Sequence, residues 1–313
     1  MTVTAPPDRP GGPPVETTGA LLREGADRLV IAGSESPRLD AELLLGHAVG
    51  VGRTVVLAHP EAPVGADAAR RYRADLELRA AGEPVAYLRG IKEFYGLVFE
   101  VDRRALIPRP ETERIVELAE AEVVRRLGGA APETGSPPLR VVDVGTGSGA
   151  IAVALAVSLR RFGALAEVDI MAVDVSLDAL DLARENAVGH TVADRIVFAE
   201  ADLLPSGAGE IDLIVANLPY VRHMAMGDLP RATTFEPAGA LDGGSDGLEI
   251  IGRLLERLPD TLAEGGAAFL EIGFDQGQEI VQLVAERLPG WRCDVETDLA
   301  GLPRVARIWR PQD

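Results

Sequence analysis

The chain has 313 residues and a mass of 33.1 kDa, enough for one large α/β domain or for such a domain with a small companion. Its 49 acidic residues against 31 Lys and Arg leave a formal net charge of −18, a field that repels phosphate and argues against a sequence-independent grip on nucleic acid. No run of apolar residues approaches the ~18 needed to span a membrane, the single cysteine, Cys293, rules out a disulfide framework, and the four histidines are scattered without metal-ligand spacing.

Residues 1–17, MTVTAPPDRPGGPPVET, are rich in Pro, Gly and Thr and lack both a basic n-region and an apolar h-region. They read as a disordered tail, not a signal peptide. Residues 18–92 read as a small helical domain. Apolar residues recur at helical spacing over 20–31, Pro37 opens a second helix in PRLDAELLLGHAVG, and an Ala- and Arg-rich third helix over 66–81 is ended by Gly82 and Pro84. No catalytic constellation occurs here, and the expected role is substrate recognition.

Residues 93–138 read as a connecting region. EFYGLVFEVD alternates Phe94, Val98, Phe99 and Val101 around Gly96, as a β-hairpin would. IPRPETE then leads into a helix over 112–127. Arg109 and Glu111 either line a cleft or cap that helix. The segment 128–138 is a loop by composition.

From residue 139 the texture becomes βα alternation. LRVVDVG, VDIMAVDVS, residues 195–199, IDLIVAN and AAFLEIG read as strands; 150–162, 177–188, 247–262 and 276–288 read as helices. Continuous apolar strands separated by helices imply a parallel sheet covered on both faces. The end, WRCDVETDLAGLPRVARIWR, reads as two strands with no helix between, which adds an antiparallel strand; Trp291 and Trp309 are expected in its core. The fold class is therefore α/β: a doubly wound, seven-stranded, mostly parallel sheet (Rossmann-like) over 139–313, with a small N-terminal helical domain and a hairpin linker.

VVDVGTGSGA places Gly145, Thr146, Gly147, Ser148 and Gly149 between a strand and a helix, where backbone N–H groups can approach a ligand closely. With Ala150 the same letters satisfy the dinucleotide pattern, so the loop alone does not choose a cofactor. Asp174 ends the second strand, where a carboxylate can accept from both ribose hydroxyls. Asp202 and Leu203 follow the third, where they can address an adenine amino group. A NAD enzyme has no particular need of Asp202.

Asn217, Leu218, Pro219 and Tyr220 follow the fourth strand. The Asn217 side-chain oxygen and the Leu218 carbonyl can each accept one N–H of a planar NH₂ group. That would hold its lone-pair direction toward an activated methyl. Pro219 would keep the acceptors aligned, and Tyr220 offers a stacking face. Glu236 and Asp242, just beyond, belong either to a substrate lip or to a solvated loop.

From about Pro37 to Arg307 the sequence resembles the release-factor glutamine methyltransferases (PrmC/HemK type). The resemblance rests on PRLDAELLLGHAVG, PVAYLRGIKEFYGLVFEVDRRALIPRPETE, DVGTGSGAIAVALA, AVDVS, NLPY, FEPAGALDGGSDGLE and DLAGLPRV in this order. It implies S-adenosylmethionine as cofactor, held by Gly145, Thr146, Gly147, Ser148, Gly149, Asp174, Asp202, Leu203 and Asn217. It implies the glutamine of the Gly-Gly-Gln loop of class I peptide release factors as substrate, held by Asn217 to Tyr220. A cytoplasmic monomer acting on protein is expected, without nucleic-acid or membrane partners and without a metal. The family usually has Asn-Pro-Pro-Tyr, and here Leu218 takes the second position. NLPY also resembles the ribosomal-RNA adenine dimethyltransferases. A ribosomal-protein glutamine methyltransferase and a nucleic-acid adenine N(6)-methyltransferase therefore stand as alternatives.

Overall fold

The computed structural model describes residues 16–128, 137–205, 207 and 209–311. The expected tail, up to residue 15, and most of the 128–138 loop lie outside the described residues. The chain divides into two compact units, 1–89 and 90–313.

The first unit is helical: α1 (Thr18–Ile31), α2 (Pro37–Val49), α3 (Arg53–Ala58), α4 (Ala66–Ala80) and α5 (Val85–Arg89). The two short helices α3 and α5 were not legible, because one or two turns show no apolar period. Leu21, Leu29, Leu44, Leu45, Tyr72 and Leu76 are fully buried among these helices. The Tyr72 hydroxyl donates to Leu21 O at 3.2 Å, so even the polar end of this ring is satisfied. Buried Asp40 accepts from Ser34, Ser36 and Arg79, which fixes the turn between α1 and α2.

The second unit opens with the hairpin β1 (Ile91–Phe94) and β2 (Leu97–Glu100), then a single 3-10 turn, Pro110–Thr112, and α6 (Glu113–Arg126). There follow β3 (Leu139–Val144), α7 (Ala150–Arg161), β4 (Val168–Asp174), α8 (Leu177–Gly189), β5 (Ile196–Glu200) and β6 (Ile211–Ala216). The chain ends with α9 (Glu249–Leu255), α10 (Leu258–Thr261), β7 (Leu262–Glu271), α11 (Gly277–Arg287), β8 (Arg292–Thr297) and β9 (Pro303–Trp309). The single helix expected over 247–262 is two, because Pro259 has no N–H and its ring opposes the carbonyl of the preceding turn.

The seven strands lie in the order β5-β4-β3-β6-β7-β9-β8, parallel except for β9, which is antiparallel to both neighbours. The expected doubly wound, mostly parallel sheet with an antiparallel terminal hairpin is therefore observed. Trp291 and Trp309 are only half-buried, with Arg310 and Arg307 stacked over them at 5.6 and 5.0 Å, so they edge the hairpin without forming its core. Strand order reverses between β3 and β6, and a crevice opens beyond the carboxyl ends of strands at such a point. Among the described residues no helix is long and apolar enough to cross a membrane, and no group of three metal-ligating side chains occurs.

Candidate active site

The glycine loop fills one side of that crevice. Gly145 N and Thr146 N both donate to Val173 O, at 2.8 and 2.9 Å, which ties the turn after β3 to the end of β4. Gly147 N donates to Asp174 Oδ2 and Ser176 N to Asp174 Oδ1, each at 2.9 Å. Asp174 thus holds the loop while each of its oxygens keeps a lone pair for a ligand. Gly149 caps α7 at φ 79°, and a Cβ there would stand 3.0 Å from the Cβ of Ala183, so the third glycine serves the close packing of α7 on α8.

Asp143, one residue inside β3, is fully buried. Its Oδ2 accepts from Thr146 Oγ1 at 2.7 Å and Ala152 N at 3.1 Å, while Oδ1 has no partner. Burial pushes this carboxyl up to about 7.

The other side of the crevice is the turn after β6. Asn217 Nδ2 donates to Thr112 Oγ1 at 2.9 Å, a contact 105 residues apart in sequence. Leu218 is buried in the core, its Cδ2 close over Gly145. The Tyr220 hydroxyl donates to Glu271 Oε1 at 3.2 Å. Glu271 closes β7 with no exposed surface, its Oε2 unpartnered, and burial pushes its carboxyl up to about 7 against the opposing pull of Thr112, Arg304 and Tyr220. The same burial, with the Glu271 charge beside it, raises the Tyr220 phenol.

Two braces fix this turn. Gln276, buried, donates from Nε2 to Tyr220 O at 3.0 Å and accepts from Gly273 N at 2.7 Å. The segment after Glu236 runs alongside, with Val221 N donating to Leu241 O at 3.0 Å and Gly243 N to Val221 O at 2.8 Å. Backbones approach so closely that a Cβ on Gly243 would stand 2.7 Å from Pro219 O. Glu236 itself is 6% exposed: its oxygens accept from Ile107 N at 3.0 Å and Arg109 at 2.5 Å, joining the two segments that wall the crevice. Arg109 thus braces Glu236 without lining the cavity, whereas Glu111 lies exposed in the turn before α6. Asp242 pairs with His223 at 2.7 Å, toward solvent.

The crevice is a cavity of about 540 Å³, within the range of small-ligand sites. Gly145, Thr146, Gly147, Ser148, Asp174, Asp202, Leu203, Asn217, Leu218 and Pro219 all line it; Gly149 and Tyr220 stand behind the wall. Leu203 does so at φ 68°, in the left-handed region that leucine rarely takes. Of the lining arginines, Arg253 is bound to Asp202, and Arg104 to Asp102 and Glu185. The wall thus carries two carboxylates and two arginines; Asp202 is spent on Arg253, and Asp174 is left to accept from the hydroxyls of a ligand.

Thr112, Asp143, Glu271 and Gln276 were missed from sequence. Asp143 and Glu271 carried a visible signal, a lone carboxylate inside an otherwise apolar strand; Thr112 and Gln276 carried none.

Residues 20–90 match the family model described as the PrmC N-terminal domain, and residues 132–222 that of the ribosomal protein L11 methyltransferase (PrmA). A release factor glutamine methyltransferase of Moorella thermoacetica is 39% identical over 299 residues, covering 95% of this chain and 100% of that protein. That of Bacillus subtilis is 35% identical, covering 93% and 97%, and that of Neisseria gonorrhoeae 40% identical, covering 87% and 93%. Among solved structures, the hMettl16 catalytic domain in complex with MAT2A 3'UTR hairpin 6 superimposes with a TM-score of 0.53 at 14% identity, covering 76% of this chain and 82% of that one. At that identity the likeness speaks for the fold alone.

Proposed function

The chain belongs to the release factor glutamine methyltransferase family, and from that premise we propose that it methylates the side-chain amide nitrogen of the glutamine in the Gly-Gly-Gln loop of class I peptide release factors, with S-adenosylmethionine as methyl donor. The observation that carries the reading is the position of Asn217: it stands on the wall of the same cavity as the glycine loop, with its Nδ2 already engaged by Thr112.

The residues that would hold the cofactor fit it. The Gly145 to Ser148 loop, its first three N–H groups spent on Val173 and Asp174, brings bare backbone to the cavity, Asp174 supplies acceptors for hydroxyls, and Asp202 and Leu203 flank the adenine end. When bound, the cofactor supplies a methyl on a positively charged sulfur. The chain's own residues do the rest. Asn217 Oδ1 and the Leu218 carbonyl accept the two N–H groups of the glutamine amide, which orients the nitrogen and stabilises the positive charge that grows on it. Apolar Leu218, Pro219, Pro237 and Ile250 keep water from the reacting nitrogen. With the cofactor bound, its methyl would pass to the nitrogen so held, and the N–H acidified by methylation would release its proton to bulk water as the product leaves, without a dedicated base.

In this reading residues 18–92 recognise the protein substrate, 93–138 connect, and 139–313 carry out transfer. The enzyme works as a monomer, since one chain supplies the whole cavity wall, and in the cytoplasm, where release factors act. Incubation with a purified class I release factor and isotope-labelled cofactor tests it. The methyl is expected on the Gly-Gly-Gln glutamine by peptide mapping; its absence there, or its appearance on a ribosomal protein instead, overturns the substrate assignment.

A further inference from the structure

The amide clamp works only if Asn217 presents its oxygen, not its nitrogen, to the substrate. An asparagine side chain is nearly symmetric in shape, so the choice is made by its neighbours' protons. Thr112 sits at the N-cap position of α6, where a threonine hydroxyl ordinarily caps a helix N–H, yet it makes no such bond. It is 3% exposed and accepts from Asn217 Nδ2 instead. On its other side lies the Glu271 carboxylate, whose charge the hydroxyl favours.

A hydroxyl has one proton. Where Glu271 is ionised its charge draws that proton toward itself, although no hydrogen bond joins the two, and Thr112 turns a lone pair toward Asn217 Nδ2. Turned over, the Asn217 amide would press its oxygen against an oxygen with no proton to share. It would also set an NH₂ against the substrate's NH₂. The hydrogen bond from Asn217 Nδ2 to Thr112 Oγ1 therefore runs one way while Glu271 is ionised.

We propose that Thr112, backed by the buried carboxylate of Glu271, is a positioning residue that fixes the amide orientation of Asn217 so that Oδ1 faces the methyl acceptor. This rests on the glutamine-methylation reading above for its catalytic consequence, but the orientation itself is a property of the free protein.

The chain contains two asparagines, Asn186 and Asn217, so selective ¹⁵N-asparagine labelling yields two side-chain NH₂ pairs. Asn186 is buried and donates to Glu100 O and Ser148 O at 3.0 and 2.9 Å, an internal control. Thr112→Val removes the hydroxyl at constant shape. It should move the Asn217 pair toward solvent-like shift and fast exchange, leave the Asn186 pair in place, and lower kcat by roughly tenfold or more, the scale of an unsatisfied buried donor. KM for the release factor and the cofactor Kd should stay within about threefold, because the lost hydroxyl is already spent on Asn217. Thr112→Ser should recover most of the rate and the Asn217 signals. Wild-type signals or wild-type kcat in Thr112→Val overturn the proposal, as does Thr112→Ser behaving like Thr112→Val. If the wild-type enzyme transfers no methyl to a release factor, the substrate reading has failed, and the NMR comparison still decides the orientation.

Discussion

Glu271→Gln should make the protein more stable and a worse enzyme, and the gain should depend on pH. Glu271 ionises at about 7 in the fold because burial strips its carboxylate of water, against 4.5 for an unencumbered glutamate. The sign follows from proton counting. Between those values the native state holds a proton that the unfolded chain has released, so stability falls as pH rises from 4.5 to about 7 and stays lowered above it. At 1.36 kcal/mol per pH unit the full deficit is about 3 kcal/mol, an upper bound, since the amide introduced there must find partners for its new N–H groups. The Gln variant carries no such deficit. Urea unfolding followed by tryptophan fluorescence reads the right sheet, because both tryptophans, Trp291 and Trp309, flank the β8–β9 hairpin and Trp309 lies in β9, beside the strand that carries Glu271. Asp143, also pushed to about 7, is common to both proteins and cancels in their difference. The variant's advantage should be near zero at about pH 5 and reach as much as about 3 kcal/mol at about pH 8, with kcat reduced throughout. A difference that is the same at both pH values, within about 0.5 kcal/mol, means the carboxylate does not titrate in this range and the reasoning is wrong.

Asn217→Ala should lower kcat by about 10²–10³, the usual loss of one preorganised polar contact to a developing charge, with cofactor affinity by calorimetry changed less than about threefold. Asp174→Ala should do the reverse, weakening the cofactor while saturated turnover stays close to normal, because the Gly147 and Ser176 N–H groups lose their shared acceptor. Gly243→Ala forces a methyl to 2.7 Å from Pro219 O and should cost about 1–3 kcal/mol in thermal unfolding. It should also reduce kcat with little effect on cofactor Kd, since the turn it displaces carries the acceptors.

The βα alternation and the carboxyl-end location of the glycine loop, Asp174 and Asn217 were legible because they depend on local signals: apolar runs, glycines and a proline. What decided the chemistry of the site was not local. Tyr220 reads as a stacking face by composition; that its hydroxyl also reaches Glu271 follows from the adjacency of β6 and β7, and strand order is not written in any one strand. Glu236 sits in a segment of Pro, Gly and Ala that looks solvated, yet it is buried because the backbone N–H of Ile107, 129 positions away, needs an acceptor. Thr112 stands at the N-cap position and bonds Asn217 instead. Each of these is a long-range polar contact that no short-range propensity announces.

The placement of buried carboxylates makes the last step. β6, which leads into Asn217, lies between β3 and β7, and each of those neighbours carries one fully buried carboxyl near its end: Asp143 and Glu271. Each has an oxygen without a hydrogen bond, an arrangement that costs stability at neutral pH and that apolar residues would relieve. A fold selected for stability alone would not keep two such groups on either side of one strand. On the proposed reading, a site that holds a cationic methyl donor and stabilises positive charge growing on an amide nitrogen gains from both, because an entering cation favours the ionised form of each carboxyl and meets its charge at low dielectric. The arginines on the same wall are each bound to a carboxylate, so they do not cancel that field.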